Sequence, residues 1–380
     1  MPSVYNECVR LASQNNCKVR LMNGLLGGCT AFPQWGEFVI LTSFCLTYYG
    51  GKRITIGMSA IPWLTMAALS VGADYFNPIP QPGEPGYTAV PQHHFRGTME
   101  NDSAFGQDSC YSHGTRLDYA QGLQNGDAWG VSLTQNIYTP TSHTNGAVMG
   151  EHPYAGYLAV GAAYLSRGEN FGNAIEFQLG TTGNASLSRY TQNGLHEACG
   201  MTTWDGWHDQ VPSEVTLQLT AQQNIRLPWL EFNCPNGCET DGAFILREEV
   251  GTAFIRGGAG ISVRYGHNLP PAMMVNGNRA AQYGISLLEK NNYNPEEISY
   301  FVVGEAYVEY VAHDISVDGG VFHHFDQTCS RQPWQAELRL GVGVSYKGID
   351  YFAGGVYSTD TYRGQQENKF YGTFSISWHW

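Results

Sequence analysis

The last eleven residues constrain the fold most: Phe370, Gly372, Phe374, Ile376, Trp378 and Trp380 fall on one face of an extended chain, and Tyr371, Thr373, Ser375, Ser377 and His379 on the other. Side chains of a β-strand point to opposite faces by turns, so a strand here presents one apolar, aromatic face and one polar face. A soluble sandwich also alternates, but its apolar face points inward and it has no reason to end on a bare Trp. An aromatic terminus on an alternating strand suits the interfacial girdle of a barrel that turns its apolar face to lipid.

The same division recurs upstream. In 334–346, Trp334, Leu338, Leu340, Val342, Val344 and Tyr346 oppose Gln335, Glu337, Arg339 and Ser345; in 300–311, Val302, Ala306, Val308 and Tyr310 oppose Glu305, Tyr307 and Glu309. From His93 onward, turns separate segments of about ten residues, which read as strands near 94–103, 113–121, 127–138, 154–166, 172–181, 213–225, 241–254, 258–267, 299–311, 334–346, 348–358 and 368–380. An even number near twelve closes a sheet without the exposed edges that a bilayer forbids. The expected fold is therefore all-β: an antiparallel transmembrane barrel over 93–380. The strand ending at Trp380 resembles the signal by which the barrel assembly machinery receives such proteins. Composition agrees, with 46 Gly, 23 Tyr and 14% charged residues, and a net charge of −13 with no basic cluster excludes a nucleic-acid partner.

Before the barrel the chain divides into three. Residues 51–75 carry Lys52-Arg53, an apolar run and small residues up to Ala73, the order of a secretory signal peptide, with cleavage expected near Ala73. Residues 1–50 have no clear periodicity and read as either an over-called start, with translation beginning at or near Met58, or an unusual extension; 76–92, rich in Pro and Gly, read as a linker. Of nine cysteines, Cys234 and Cys238 flank a turn short enough for a small disulfide loop, with zinc as the rival reading.

One segment departs from the β pattern. Residues 186–200 suit a short helix with Ser186 or Ser188 as cap and Gly200 as stop, in the loop after the fifth strand and on the extracellular rim if the barrel begins at the periplasm. Gln192 and His196, four apart, share a face there, and a His with a polar neighbour can act as a general base. A side chain on such a helix is expected to support no core. Glu100-Asn101-Asp102 closes the first strand and Tyr111-Ser112-His113 opens the second; carboxylate, amide and hydroxyl oxygens are hard ligands that suit calcium, or simply turn chemistry.

Taken in order, Glu100 to Asp102, Asp108 to Gly114, Gln135 to Pro140, Glu151 to Gly156, Gln192 to His196 and Gly206 to Gln210 resemble the motifs of the lipid A 3'-O-deacylase (LpxR) family over about 93–380. The resemblance implies a twelve-stranded barrel in the bacterial outer membrane, with its site at the outer rim where lipid A of lipopolysaccharide reaches it. By that analogy His196 activates water, Gln192 orients the site, Asn101, Asp102 and Ser112 hold Ca2+, and His152 and Tyr154 bind substrate. His152 stands where the family usually has Arg, so a titratable ring replaces a permanent cation. Two other functions compete: an outer-membrane phospholipase A, which needs a Ser nucleophile paired with His, and a non-enzymatic barrel, degenerate or channel-forming, whose inward Glu305, Glu309, Glu337 and Arg339 could line a pore.

Overall fold

The computed structural model describes residues 93–380 except 107, 124–125, 143–144, 236, 272–276, 289–292 and 367–368. The signal-like, linker and N-terminal segments expected from sequence lie outside the described residues. Thirteen strands form one antiparallel sheet: β1 (His93–Asn101), β2 (Cys110–Gly122), β3 (Ala128–Thr139), β4 (Ala155–Ser166), β5 (Phe171–Thr182), β6 (Val215–Arg226), the two-residue β7 (Phe232–Asn233), β8 (Glu239–Gly251), β9 (Phe254–His267), β10 (Ser299–Asp314), β11 (Trp334–Tyr346), β12 (Ile349–Ser358) and β13 (Phe370–His379). Each pairs with its neighbour in sequence, except that β7 is appended to β8 while β6 pairs β8 directly. β1 closes the cylinder against β13, from His94 opposite His379 to Asn101 opposite Gly372, and the His93 and Trp380 backbones exchange two 3.0 Å hydrogen bonds. The result is a closed barrel of twelve long strands, with β7 a hairpin appendage too short to show as a periodic run.

The faces fall as the alternation requires. Leu340 is 71% exposed and Leu338, Val342, Phe374, Ile376 and Trp378 are also open, whereas Arg339, Ser345, Thr373, Ser375 and Ser377 are buried inside. This inversion of the soluble pattern is what a lipid solvent selects. No described helix is long and apolar enough to cross a membrane.

The lumen is filled. Part of the β9–β10 connection, 277–288, turns inward: Ala281, Tyr283, Ile285 and Leu287 pack with Ala120, Ala128, Leu165 and Ala174 of the wall, and the Arg116 guanidinium lies 5.0 Å over the Tyr283 ring. The inward charges form a connected network, Arg339 bonding Glu337 at 3.0 Å and lying 3.6 Å from Glu100, with Arg279 of the inward segment also on Glu337. Buried charges persist when paired in this way.

The hairpin at Cys234 departs from expectation. Cys234 keeps a free thiol, so no disulfide with Cys238 forms, and the turn is closed instead by Cys234 N donating to Cys238 O at 2.7 Å.

Candidate active site

The long connections β1–β2, β3–β4, β5–β6 and β10–β11 gather at the rim opposite His93 and Trp380. Helix α1 (Ser188–Cys199) lies in the β5–β6 connection, as expected, and stops at Gly200, whose φ of +69° lies in the left-handed region that favours glycine. Its start differs: Leu187 in the left-handed region precedes it without a side-chain cap, while the Ser186 hydroxyl donates to Gly183 O at 2.6 Å. Gln135 of β3 anchors this lead-in by donating to Ser186 O at 2.8 Å.

Ser188, Gln192 and His196 form the buried face of α1. His196 is only 6% exposed, which corrects the expectation of a side chain that supports no core: its Nδ1 lies 2.5 Å from Thr202 O and its Nε2 3.1 Å from the Gln192 amide nitrogen. The carbonyl can only accept, so Nδ1 carries a proton and the neutral ring keeps its lone pair on Nε2. Asp108, just before β2, completes the group. Its Oδ1 accepts from Gln192 Nε2 at 2.9 Å, and its Oδ2 accepts from Trp204 Nε1 at 2.8 Å and lies 3.1 Å from His196 Nε2. Asp108 stands within a motif, but nothing in its sequence setting assigns it this place.

The support of this group explains other motif residues. Asn193 clamps Trp204 from α1, its Oδ1 accepting from Trp204 N at 2.9 Å and its Nδ2 donating to Trp204 O at 3.1 Å. Tyr154 is fully buried against Trp204 and Trp207, with ring centroids at 5.9 and 5.2 Å. Gly206 permits that packing: a Cβ there falls 2.4 Å from the Tyr154 ring. Tyr154 thus stands under the loop that carries Trp204. His152 is also buried, stacked on Tyr138 at 5.2 Å, with Nδ1 2.8 Å from Pro153 O; burial holds its pKa below the usual histidine value. It is an uncharged ring in a packed setting.

Asn101, Asp102 and Ser112 occupy neighbouring strand ends. Asn101 faces His113 across the β1–β2 ladder, its Oδ1 accepting from Ser103 N at 2.8 Å. Asp102 is wholly buried and its Oδ2 accepts from Ser109 N at 2.8 Å, which ties it to the residue after Asp108. Burial chiefly, with Asp108 adding to it against the Ser109 N–H, pushes the Asp102 carboxyl up to about 8. Ser112 is the extra residue of a β-bulge between Tyr111 and His113, and its hydroxyl lies 2.5 Å from that of Thr139. Among the described residues no group of three or more His, Cys, Asp and Glu is placed to hold a metal. The donors here are of another kind, one buried carboxylate with amide and hydroxyl oxygens, and in donor type they fit a hard cation whose charge offsets the burial of Asp102.

A closed twelve-stranded barrel with an apolar outer belt and a buried His–Asp–Gln group at one rim defines a protein of the outer-membrane barrel class. The family model described as "Outer membrane protein LpxR" matches residues 64–380, and the chain belongs to that family. It is thus a bacterial outer-membrane protein of a lipid A-modifying family. Among solved structures it is similar to LpxR from Salmonella typhimurium, with a TM-score of 0.63 at 16% identity over 76% of this chain and 100% of that one. The translocator domain of autotransporter NalP from Neisseria meningitidis follows at a TM-score of 0.37, 10% identity, 76% of this chain and 89% of that one, and the β domain of the Bordetella autotransporter BrkA at 0.36, 13%, 76% and 99%. No curated protein matches the chain by sequence.

Proposed function

We propose that the chain hydrolyses the 3'-O-linked acyloxyacyl ester of lipid A in the outer leaflet, with the α1 rim facing outward and His196 as general base. The observation that carries this is the setting of the His196 Nε2 atom. With Nδ1–H held by Thr202 O, Nε2 is the ring's only basic atom, and Gln192 fixes the ring's orientation. Water attacking the ester carbonyl gives its proton to Nε2, and the imidazolium so formed lies 3.1 Å from the Asp108 carboxylate. That proton then passes to the departing 3' oxygen, so the acid and the alcohol are released with atoms balanced. Calcium held by Asn101, Asp102 and Ser112 supplies, when bound, positive charge for the oxyanion. Trp204 and Tyr154 keep the carboxylate in place.

A phospholipase A-like reading needs a serine that gives its proton to a histidine. Ser316 Oγ does lie 3.5 Å from His152 Nε2, but it donates to Asp314 Oδ1 at 2.6 Å and is buried. It is a structural hydroxyl. An open channel is disfavoured by the inward segment that fills the lumen.

Incubation of the purified barrel with lipid A in water enriched in 18O tests the proposal. One 18O should enter the released fatty acid, and lipid A should lose the mass of the acyloxyacyl chain. Unlabelled acid, or loss of an acyl group from another position, contradicts it.

A further inference from the structure

The inward segment does more than fill space. It belongs to the connection that joins β9 to β10 at the end carrying His93 and Trp380, and Asn278 on it reaches the strand ends beneath the candidate site. Asn278 is 7% exposed. Its backbone N–H donates to Glu100 Oε1 at 3.1 Å, and its side-chain Nδ2 lies 2.6 Å from Asn136 Oδ1 and 3.2 Å from the Tyr111 hydroxyl. Tyr111 in turn donates to Glu100 Oε2 at 2.7 Å.

These partners are neighbours of the site. Glu100 precedes Asn101, and Tyr111 precedes Ser112 at the bulge. Gly114 belongs to the same socket, since a Cβ there falls 2.4 Å from Asn278 Nδ2 and 1.8 Å from the Tyr111 hydroxyl. Only a residue without a side chain admits the tip. Four of the sequence's motif positions, Glu100, Tyr111, Gly114 and Asn136, thus meet one residue that lies outside every motif.

We propose that Asn278 is a positioning residue, the tip of a lumenal strut that holds the strand ends bearing Asn101 and Ser112 from below. This rests on the reading of those two residues as part of the site. An amide suits this role because its N–H groups serve acceptors on β2 and β3 at once, whereas an isosteric carboxylate has no proton to donate and repels Glu100. Asn278 belongs to no strand of the barrel, so its loss leaves the ladder that closes the wall.

Hydrogen exchange on the assembled full chain tests the strut apart from catalysis. In Asn278→Asp and Asn278→Ala the amides of Ser103 and Ser109, whose acceptors are the Asn101 and Asp102 side chains, should exchange roughly tenfold faster, the loss expected for about one net buried hydrogen bond. Amides of α1 should exchange as in the parent. Deacylation should fall through kcat with KM for lipid A unchanged. Unaltered exchange at Ser103 and Ser109 overturns the proposal, as does faster exchange spread equally over α1, or failure of both variants to assemble, since those mark a residue of general structural use. If the parent itself does not deacylate, the proposed function fails, while the exchange data still decide the strut.

Discussion

Replacing Asp108 by Asn is the most informative single change, because it keeps shape and removes charge. The parent carboxylate accepts from Gln192 at one oxygen and from Trp204 at the other, and the second oxygen also faces His196 Nε2 at 3.1 Å. An amide offers one acceptor and one donor, so in either orientation one N–H meets another, at a cost of about 1–3 kcal/mol to the loop. The larger effect is on rate. A hydrogen bond to a charged group contributes about 1.5–3 kcal/mol, and here it forms fully only as His196 takes its proton. Its loss slows deacylation by roughly 10- to 10²-fold. The assay is the initial rate of acyl release from lipid A by the purified barrel, with heat-modifiable gel mobility as the control for assembly. In a double-mutant cycle Asp108→Asn should cost nothing further once His196 is Ala, because the carboxylate acts through the ring. An Asp108→Asn enzyme at the parent rate, or fully additive losses, refutes the reasoning.

Chelation should abolish acyl release and added calcium restore it, and Asp102→Ala should need more calcium; full activity in excess chelator removes the metal from the mechanism. Gly206→Ala, whose Cβ meets the Tyr154 ring at 2.4 Å, should assemble normally yet lose about tenfold or more in rate through displacement of Trp204, with overpacking costing about 1–3 kcal/mol; a parent-like rate shows that the Tyr154–Trp204 packing does not matter to the site.

The wall of the barrel is legible in the sequence because lipid imposes period two on every strand: all twelve long strands appear within a few residues of the expected bounds. β7 escapes, since two residues carry no period. The pairing of Gln192 with His196 follows from helical spacing, but burial of His196 does not, because the groups that cover it, Thr202 and Asp108, come from elsewhere in the chain. Asp108 looks like an ordinary turn residue, and only the return of α1 and Trp204 over it reveals two donors and the His196 ring gathered on one carboxylate. The lumenal segment is hidden for a related reason. Its apolar residues Ala281, Tyr283, Ile285 and Leu287 alternate like a short strand yet pair with none of the named strands, and their partners are wall side chains far away in sequence. The motif glycines Gly114 and Gly206 are visible as letters, but close approach explains them only once Tyr111, Asn278 and Tyr154 are in place.

The role of His196 as the base of a lipid A 3'-O-deacylase is tested most directly by the mass spectrum of lipid A from a host without such an enzyme, expressing either the parent or His196→Ala. Since His196 also holds the Thr202 carbonyl, both forms are first matched for heat-modifiable protein in the outer membrane. The parent should remove the 3' acyloxyacyl group, and His196→Ala should be slower by about 10² to 10⁴, the usual cost of losing general-base assistance. Equal deacylation by the two forms, or unmodified lipid A from the parent with calcium present, contradicts that role.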